Sequence, residues 1–307
     1  MIPYGKQDIT DEDIAAVEAV LKSDFLTSGP TVPEFEKSII DFCLVDYAVA
    51  CNSATSALHI ACLAINLGPG DIAWTVPNSF VASANCALYC GASIDFVDIN
   101  SKTLNIDLDC LIAKLEKAKN KNLLPKVLIC VHFGGFPCDM EEIKNLSKIY
   151  GFKIIEDASH AIGAKYRNGM KVGSCVYSDI SIFSFHPVKI ITTGEGGVAT
   201  TNDSVLAANM SLLRAHGITR DINYMESKSD GDWYYQQISL GLNYRMTDIH
   251  AALGISQMKR LDTYIEHRKK LAYRYDKLLD DLPLKFQQMD IERSSLHLYP
   301  VIFENSK

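Results

Sequence analysis

Between residues 47 and 201 the chain alternates short apolar runs with helical patterns, and this rhythm restricts the fold more than any single residue does. The runs occupy 47–51, 72–76, 93–98, 126–132, 152–156, 180–185 and 197–201. Helical patterns lie among them near 54–66, 79–90, 107–119, 139–150 and 203–215. Runs of this length without polar alternation suit strands buried on both faces, and helices supply the crossovers that parallel strands require. The pattern predicts an α/β fold with a mainly parallel central sheet covered by helices on both faces.

The flanks are helical. Thr10 reads as the cap of a first helix with Asp13 near its third position, and Ile14, Val17 and Leu21 supply an inward stripe. Residues 25–30 form a loop, and Pro33 suits the first turn of a second helix. A long helical pattern, open to interruption, spans 247–279; Pro283 ends it, and 297–303 reads as a strand. With 307 residues, nearly half of them apolar, the chain can bury one large domain or two smaller ones.

A net charge of −7 argues against nucleic-acid binding on a broad basic surface, while leaving room for a nucleotide-linked substrate held by a few local donors. Arg214, His216 and Arg220 form the nearest basic cluster, which a solvated helix end explains equally well. The nine cysteines are scattered, mostly in apolar segments, without a C-x-x-C pair; they read as small buried hydrophobes in a reducing compartment. The eight histidines form no ligand-like cluster, so no metal is expected. Residues 1–6 lack the apolar core of a signal peptide, and no segment is long enough to span a bilayer. The expected location is cytoplasmic.

Four segments carry chemistry. In Ser184-Phe185-His186-Pro187-Val188-Lys189, followed by Gly194-Glu195-Gly196-Gly197, a lysine stands at the mouth of a buried strand. Desolvation there lowers its pKa and frees the amine to form a Schiff base. Asn52-Ser53-Ala54-Thr55 caps an Ala-rich helix, whose free amides at Ala54 and Thr55 would face an anion. Glu156-Asp157-Ala158-Ser159-His160 ends a hydrophobic strand in two carboxylates and a histidine, where a carboxylate could keep a pyridine nitrogen protonated. Phe80, just after the run 72–76, is an aromatic able to stack on a flat ring. Singly, each has an ordinary reading: a surface lysine, a capped helix, an ion pair, a core aromatic. Their order along the chain is what gives them force.

That ensemble resembles the DegT/DnrJ/EryC1/StrS sugar aminotransferases, which are fold-type I enzymes dependent on pyridoxal 5'-phosphate. The matching segments also include Gly134-Gly135-Phe136-Pro137-Cys138-Asp139-Met140 and Gly241-Leu242-Asn243-Tyr244-Arg245-Met246-Thr247-Asp248. The resemblance implies that Lys189 is the Schiff-base lysine and Asp157 the partner of the pyridine nitrogen. Phe80 then stacks on the ring with His160 near it, while Ala54, Thr55 and Ser184 hold the phosphate. Asn243 would reach the phosphate of a neighbouring subunit, so a homodimer with shared active sites is implied. It also implies a cofactor-binding large domain over 1–250. Residues 251–307 would be a connecting helix and the start of a small C-terminal domain, which makes the chain look truncated. Relatives that remove sugar hydroxyls carry histidine in place of the lysine, so Lys189 favours transamination.

The expected reaction moves an amino group from L-glutamate to the C4 ketone of a nucleotide-linked keto-deoxysugar of the UDP-4-keto-6-deoxy-N-acetylhexosamine type, as in pseudaminic acid biosynthesis. Ser294-Ser295-Leu296-His297-Leu298-Tyr299-Pro300 is similar to those enzymes, and histidine at 160 leans towards C4 over C3. A C3-keto or other nucleotide sugar is the alternative substrate. A non-catalytic binding protein on the same fold is the alternative role. A dinucleotide-dependent oxidoreductase is disfavoured, because Gly68-Pro69-Gly70 lacks the third glycine and the following helix of the fingerprint.

Overall fold

The structure is a computed structural model that describes residues 5–303. Residues 1–4 of the segment read for a signal peptide lie outside the described residues. Two helices come first, α1 (Asp11–Leu21) and α2 (Thr31–Cys43). Then β1 (Tyr47–Cys51), α3 (Ala54–Ala64), β2 (Ile72–Thr75), α4 (Ala82–Tyr89), β3 (Ser93–Phe96) and α5 (Leu108–Lys119) alternate. They are followed by β4 (Val127–Val131), α6 (Met140–Tyr150), β5 (Lys153–Asp157), β6 (Ile180–Ser184), β7 (Gly197–Thr201) and α7 (Ser204–Arg214). Every apolar run of the sequence became a strand within one or two residues of its expected bounds.

The strands form one sheet in the order β1-β7-β6-β5-β4-β2-β3. The pairs β6/β5, β5/β4, β4/β2 and β2/β3 are parallel. The reversed strand is β7, antiparallel to both β1 and β6. β4, β6 and β7 are buried along their whole length, consistent with helical cover on both faces, whereas β3 is a largely exposed edge.

The first helix corrects the sequence reading. Ile14 and Leu21 are exposed (57% and 55%), and α1 turns Asp13 and Val20 inward instead. Asp13 Oδ2 accepts from the Thr10 amide at 3.0 Å, Gln257 Nε2 at 2.8 Å and Arg260 Nη2 at 2.6 Å. Burial alone would raise this carboxyl; Arg260, Ser256, the Thr10 amide and Gln257 outweigh it and hold the pKa at about 2. A charged network therefore docks α1 where an apolar stripe was expected.

The long C-terminal helical pattern is two helices, α8 (Asp248–Met258) and α9 (Leu261–Leu279), broken at Lys259 and Arg260. Asp248, fully buried, accepts from the amides of Gly29, Thr31 and Val32 at 2.8, 2.9 and 3.2 Å. It thereby caps α2, whose own cap position is Pro30. The expected strand at 297–303 shrinks to β11 (Val301–Phe303), paired antiparallel with β10 (Leu284–Phe286). Residues 297–300 leave the ladder and turn towards the sheet, with the Leu298 amide bonded to the Gly134 carbonyl at 3.1 Å.

Candidate active site

Parallel strands deliver their last residues to one edge of the sheet, where Asp157 ends β5 and Ser184 ends β6. A cavity of about 540 Å³ opens there, lined by Ala54, Thr55, Phe80, Asp157, His160, Ser184, Lys189 and His297. Seven of the eight site residues expected from the sequence therefore share one cleft. Asn243 does not line it; it is exposed and bridges Ala215.

One wall is the N-terminus of α3. Ser53 is extended (φ −162°) and its Oγ accepts from the Ser56 amide at 3.1 Å, while Ser56 Oγ donates to Asn52 Oδ1 at 2.6 Å. The amides of Ala54 and Thr55 make no hydrogen bond among the described residues, so two donors with a helix dipole behind them face the cleft. The helix reaches this position because β7 begins with glycine: a Cβ on Gly197 would sit 2.4 Å from the Ala54 nitrogen. Ser184 Oγ, at a buried position, also has no partner among the described residues.

Opposite lies Asp157. Its Oδ2 accepts from Ser83 Oγ at 2.5 Å and its Oδ1 from the Ser159 amide at 3.1 Å. Glu156, one residue earlier, points to the other face of the sheet, as strand alternation requires. There it is fully buried and accepts from His132 Nε2 at 2.7 Å, Tyr166 Oη at 2.6 Å and Ser178 Oγ at 2.5 Å. The Cys138 amide donates to His132 Nδ1 at 3.2 Å, which directs the Nε2 proton to Glu156. Of the two carboxylates in the Glu156-Asp157 pair, one is structural and one faces the cleft.

Lys189 follows β6 in a tight turn, its amide bonded to the His186 carbonyl at 2.9 Å. Among the described residues its ammonium makes no hydrogen bond or ion pair. Burial lowers its pKa, and Asp157 opposes that shift. His160 is pushed down to about 4 by burial and by Lys189, against the pull of Asp157.

Two further residues belong to the site, Ser83 behind Asp157 and His297 on the cleft wall. Ser83 orients Asp157 across 74 positions of chain, and no local pattern marks such a contact. His297 packs its ring 4.4 Å from that of His160; burial, His160, Lys189 and Arg268 push it down to about 2. Its signal lies in the segment 294–300, whose likeness to the family does not by itself single out a side chain. Gly134 and Gly135 hold that segment in place, since a Cβ on Gly135 would lie 2.5 Å from Ser295 Oγ. Arg214 is no ligand-binding cation: it pairs with Glu36 and donates to the Ala50 carbonyl at 2.7 Å.

The constellation fits pyridoxal 5'-phosphate in each part: two unengaged helix amides for a phosphate, an oriented carboxylate for a ring nitrogen, and an unpaired amine between them. Phe80 stands 74% exposed on the rim with no core role to explain it.

Comparison with known proteins agrees. The chain is 42% identical over 306 residues to the UDP-4-amino-4,6-dideoxy-N-acetyl-beta-L-altrosamine transaminase of Campylobacter jejuni strain 81-176, covering 98% of this chain and 76% of that one. Its fold matches Helicobacter pylori PseC, an aminotransferase involved in the biosynthesis of pseudoaminic acid, with a TM-score of 0.86 and 34% identity over 98% of this chain and 77% of the other. The PMP-form of the putative sugar aminotransferase Spr1654 from Streptococcus pneumoniae matches with a TM-score of 0.86 and 29% identity, over 100% of this chain and 80% of that one. The profile of one family matches residues 7–307. This chain belongs to the DegT/DnrJ/EryC1/StrS aminotransferase family.

Proposed function

We propose that the chain transfers an amino group from L-glutamate to the C4 ketone of a UDP-linked 4-keto-6-deoxy-N-acetylhexosamine. The observation that carries this reading is the meeting of Lys189, Asp157 and the free amides of Ala54 and Thr55 in one cleft. The C4 position and the UDP-sugar are supported by the name of the Campylobacter jejuni relative.

In this reading the amides of Ala54 and Thr55, with Ser184 Oγ, hold the phosphate. Asp157, aimed by Ser83 and Ser159, holds a proton on the pyridine nitrogen. Phe80 covers the ring face. Pyridoxal phosphate, when bound, supplies the electron sink that lets a carbon next to nitrogen lose its proton. Lys189 Nζ takes that proton from glutamate and later returns one to the sugar carbon, a positioned transfer contributing about 10²–10⁴-fold. Its lowered pKa suits both steps. Asn243, exposed and outside this cleft, would complete the site of a second copy in a homodimer.

The test is to incubate the chain with glutamate and a panel of keto-sugar nucleotides and to locate the new amine by NMR. An amine at C4 of the UDP-N-acetylhexosamine is expected. An amine at C3, or on another nucleotide's sugar, overturns the substrate; no amine on any sugar supports a binding role.

A further inference from the structure

A second cavity, of about 520 Å³, shares Lys189 as a wall with the cleft described above. Lys6, Asp8, His267 and Arg268 also line it. Three cations (Lys6, Lys189 and Arg268) meet a single carboxylate there, in a chain whose net charge is −7. That carboxylate, Asp8, already accepts from Tyr264 Oη at 2.9 Å.

Arg268 sets the cavity apart. Arg214 and Arg260, also half-buried, each hold an acid: Glu36 and Asp13. Arg268 has none among the described residues. Its hydrogen bonds run from Nη1 to the carbonyls of Leu296 and His297, at 3.1 and 3.3 Å. Nε and Nη2 have no partner among the described residues, and burial lowers the pKa of the guanidinium with no acid to offset it. The group stays charged all the same, and its planar fork matches two carboxylate oxygens. A half-buried cation without a counter-ion, opening on a cavity that touches the reactive lysine, is a site for an anion.

The geometry points to this cavity as the carboxylate site of the amino donor, with Arg268 gripping the carboxylate and Lys189 forming the boundary at which the donor's nitrogen is handed over. The assignment rests on the transamination reading and adds to it where the donor binds. A dicarboxylic amino acid fits the charge: two negative groups meet the unpaired Arg268 and the exposed Lys6.

Glutarate, a dicarboxylate without an amino group, reads the site without turnover. Calorimetric titration of the full chain loaded with its cofactor should show binding. Arg268→Gln should weaken that binding about tenfold or more, and Arg268→Lys should keep part of it. Lys6→Gln, at an exposed position outside the fold's core, should weaken it about twofold and covers the case in which Arg268→Gln fails to fold. UDP titrations should be unchanged in all three. Glutarate binding equal to the parent's in both Arg268→Lys and Lys6→Gln overturns the site, as does a loss of UDP affinity in their place. If the site fails while glutamate still aminates a sugar, the transaminase reading stands; if the parent chain aminates nothing, that reading fails first.

Discussion

The rings of His160 and His297 lie 4.4 Å apart at a tilt of 33°, and the Nδ1 atom of each is buried without a partner among the described residues. Both imidazoles are held neutral, at about 4 and about 2 against an ordinary value of 6.5. Above pH 6.5 neither folded nor unfolded chain protonates them, and their full contribution to stability is present. Below it the unfolded chain binds protons that the folded one refuses, so stability falls as pH drops from 6.5 towards 4. The melting temperature should follow that course, and His297→Gln should flatten it. An acid limb of unchanged slope in the variant would refute this account.

Replacing the amine is the most direct probe of the cleft. Lys189→Ala should lose turnover by about 10²-fold or more, together with the visible absorbance of the bound cofactor, while circular dichroism stays native. Retained turnover would remove Lys189 from the chemistry.

The short bond between Ser83 and Asp157 separates charge from aim. Asp157→Asn removes a charge-assisted contact of about 1.5–3 kcal/mol and should cut kcat about tenfold to a hundredfold. Ser83→Ala leaves the charge and should cost less. Stopped-flow measurement of each half-reaction distinguishes them; equal losses in both variants would mean that orientation, not charge, matters at 157.

Gly197→Ala would drive a methyl group to 2.4 Å from the Ala54 nitrogen. Backbone of α3 has to shift, at a cost of about 1–3 kcal/mol. Cofactor affinity, read by fluorescence titration, should fall along with the melting temperature. Unchanged affinity would show that the Ala54 and Thr55 amides are not the phosphate site.

Phe80→Ala should separate affinity from stability. Because Phe80 is 74% exposed, stability should stay within about 0.5 kcal/mol. Loss of ring stacking, about 0.5–1.5 kcal/mol, should weaken cofactor binding about twofold to tenfold. A lower melting temperature of the cofactor-free chain would instead make Phe80 a packing residue.

Periodicity revealed where the strands lie but not which way they run, since an apolar run reads the same in both directions. β7 was therefore expected without its reversal. In α1, apolar spacing proposed Ile14 and Leu21 for the inward face, and the ion pair between Asp13 and Arg260 prevailed. The meeting of Lys189, Asp157, Ala54 and Thr55 in one cleft was legible because strand ends and helix caps leave local marks. Ser83 left none, and the likeness of 294–300 does not single out His297, because the contacts of both form only after distant segments pack. Glu156 and Asp157 are adjacent in sequence and separated by the thickness of the sheet, a distinction that burial on both sides of β5 hides from any pattern of polarity.

The reversed strand has a temporal consequence. β1, which leads into the helix end bearing the Ala54 and Thr55 amides, pairs with the remainder of the sheet through β7, and β7 is also the strand into which the lysine turn runs. Pairing of β1 with the rest of the sheet is completed only when 197–201, made after the lysine turn, inserts between β1 and β6.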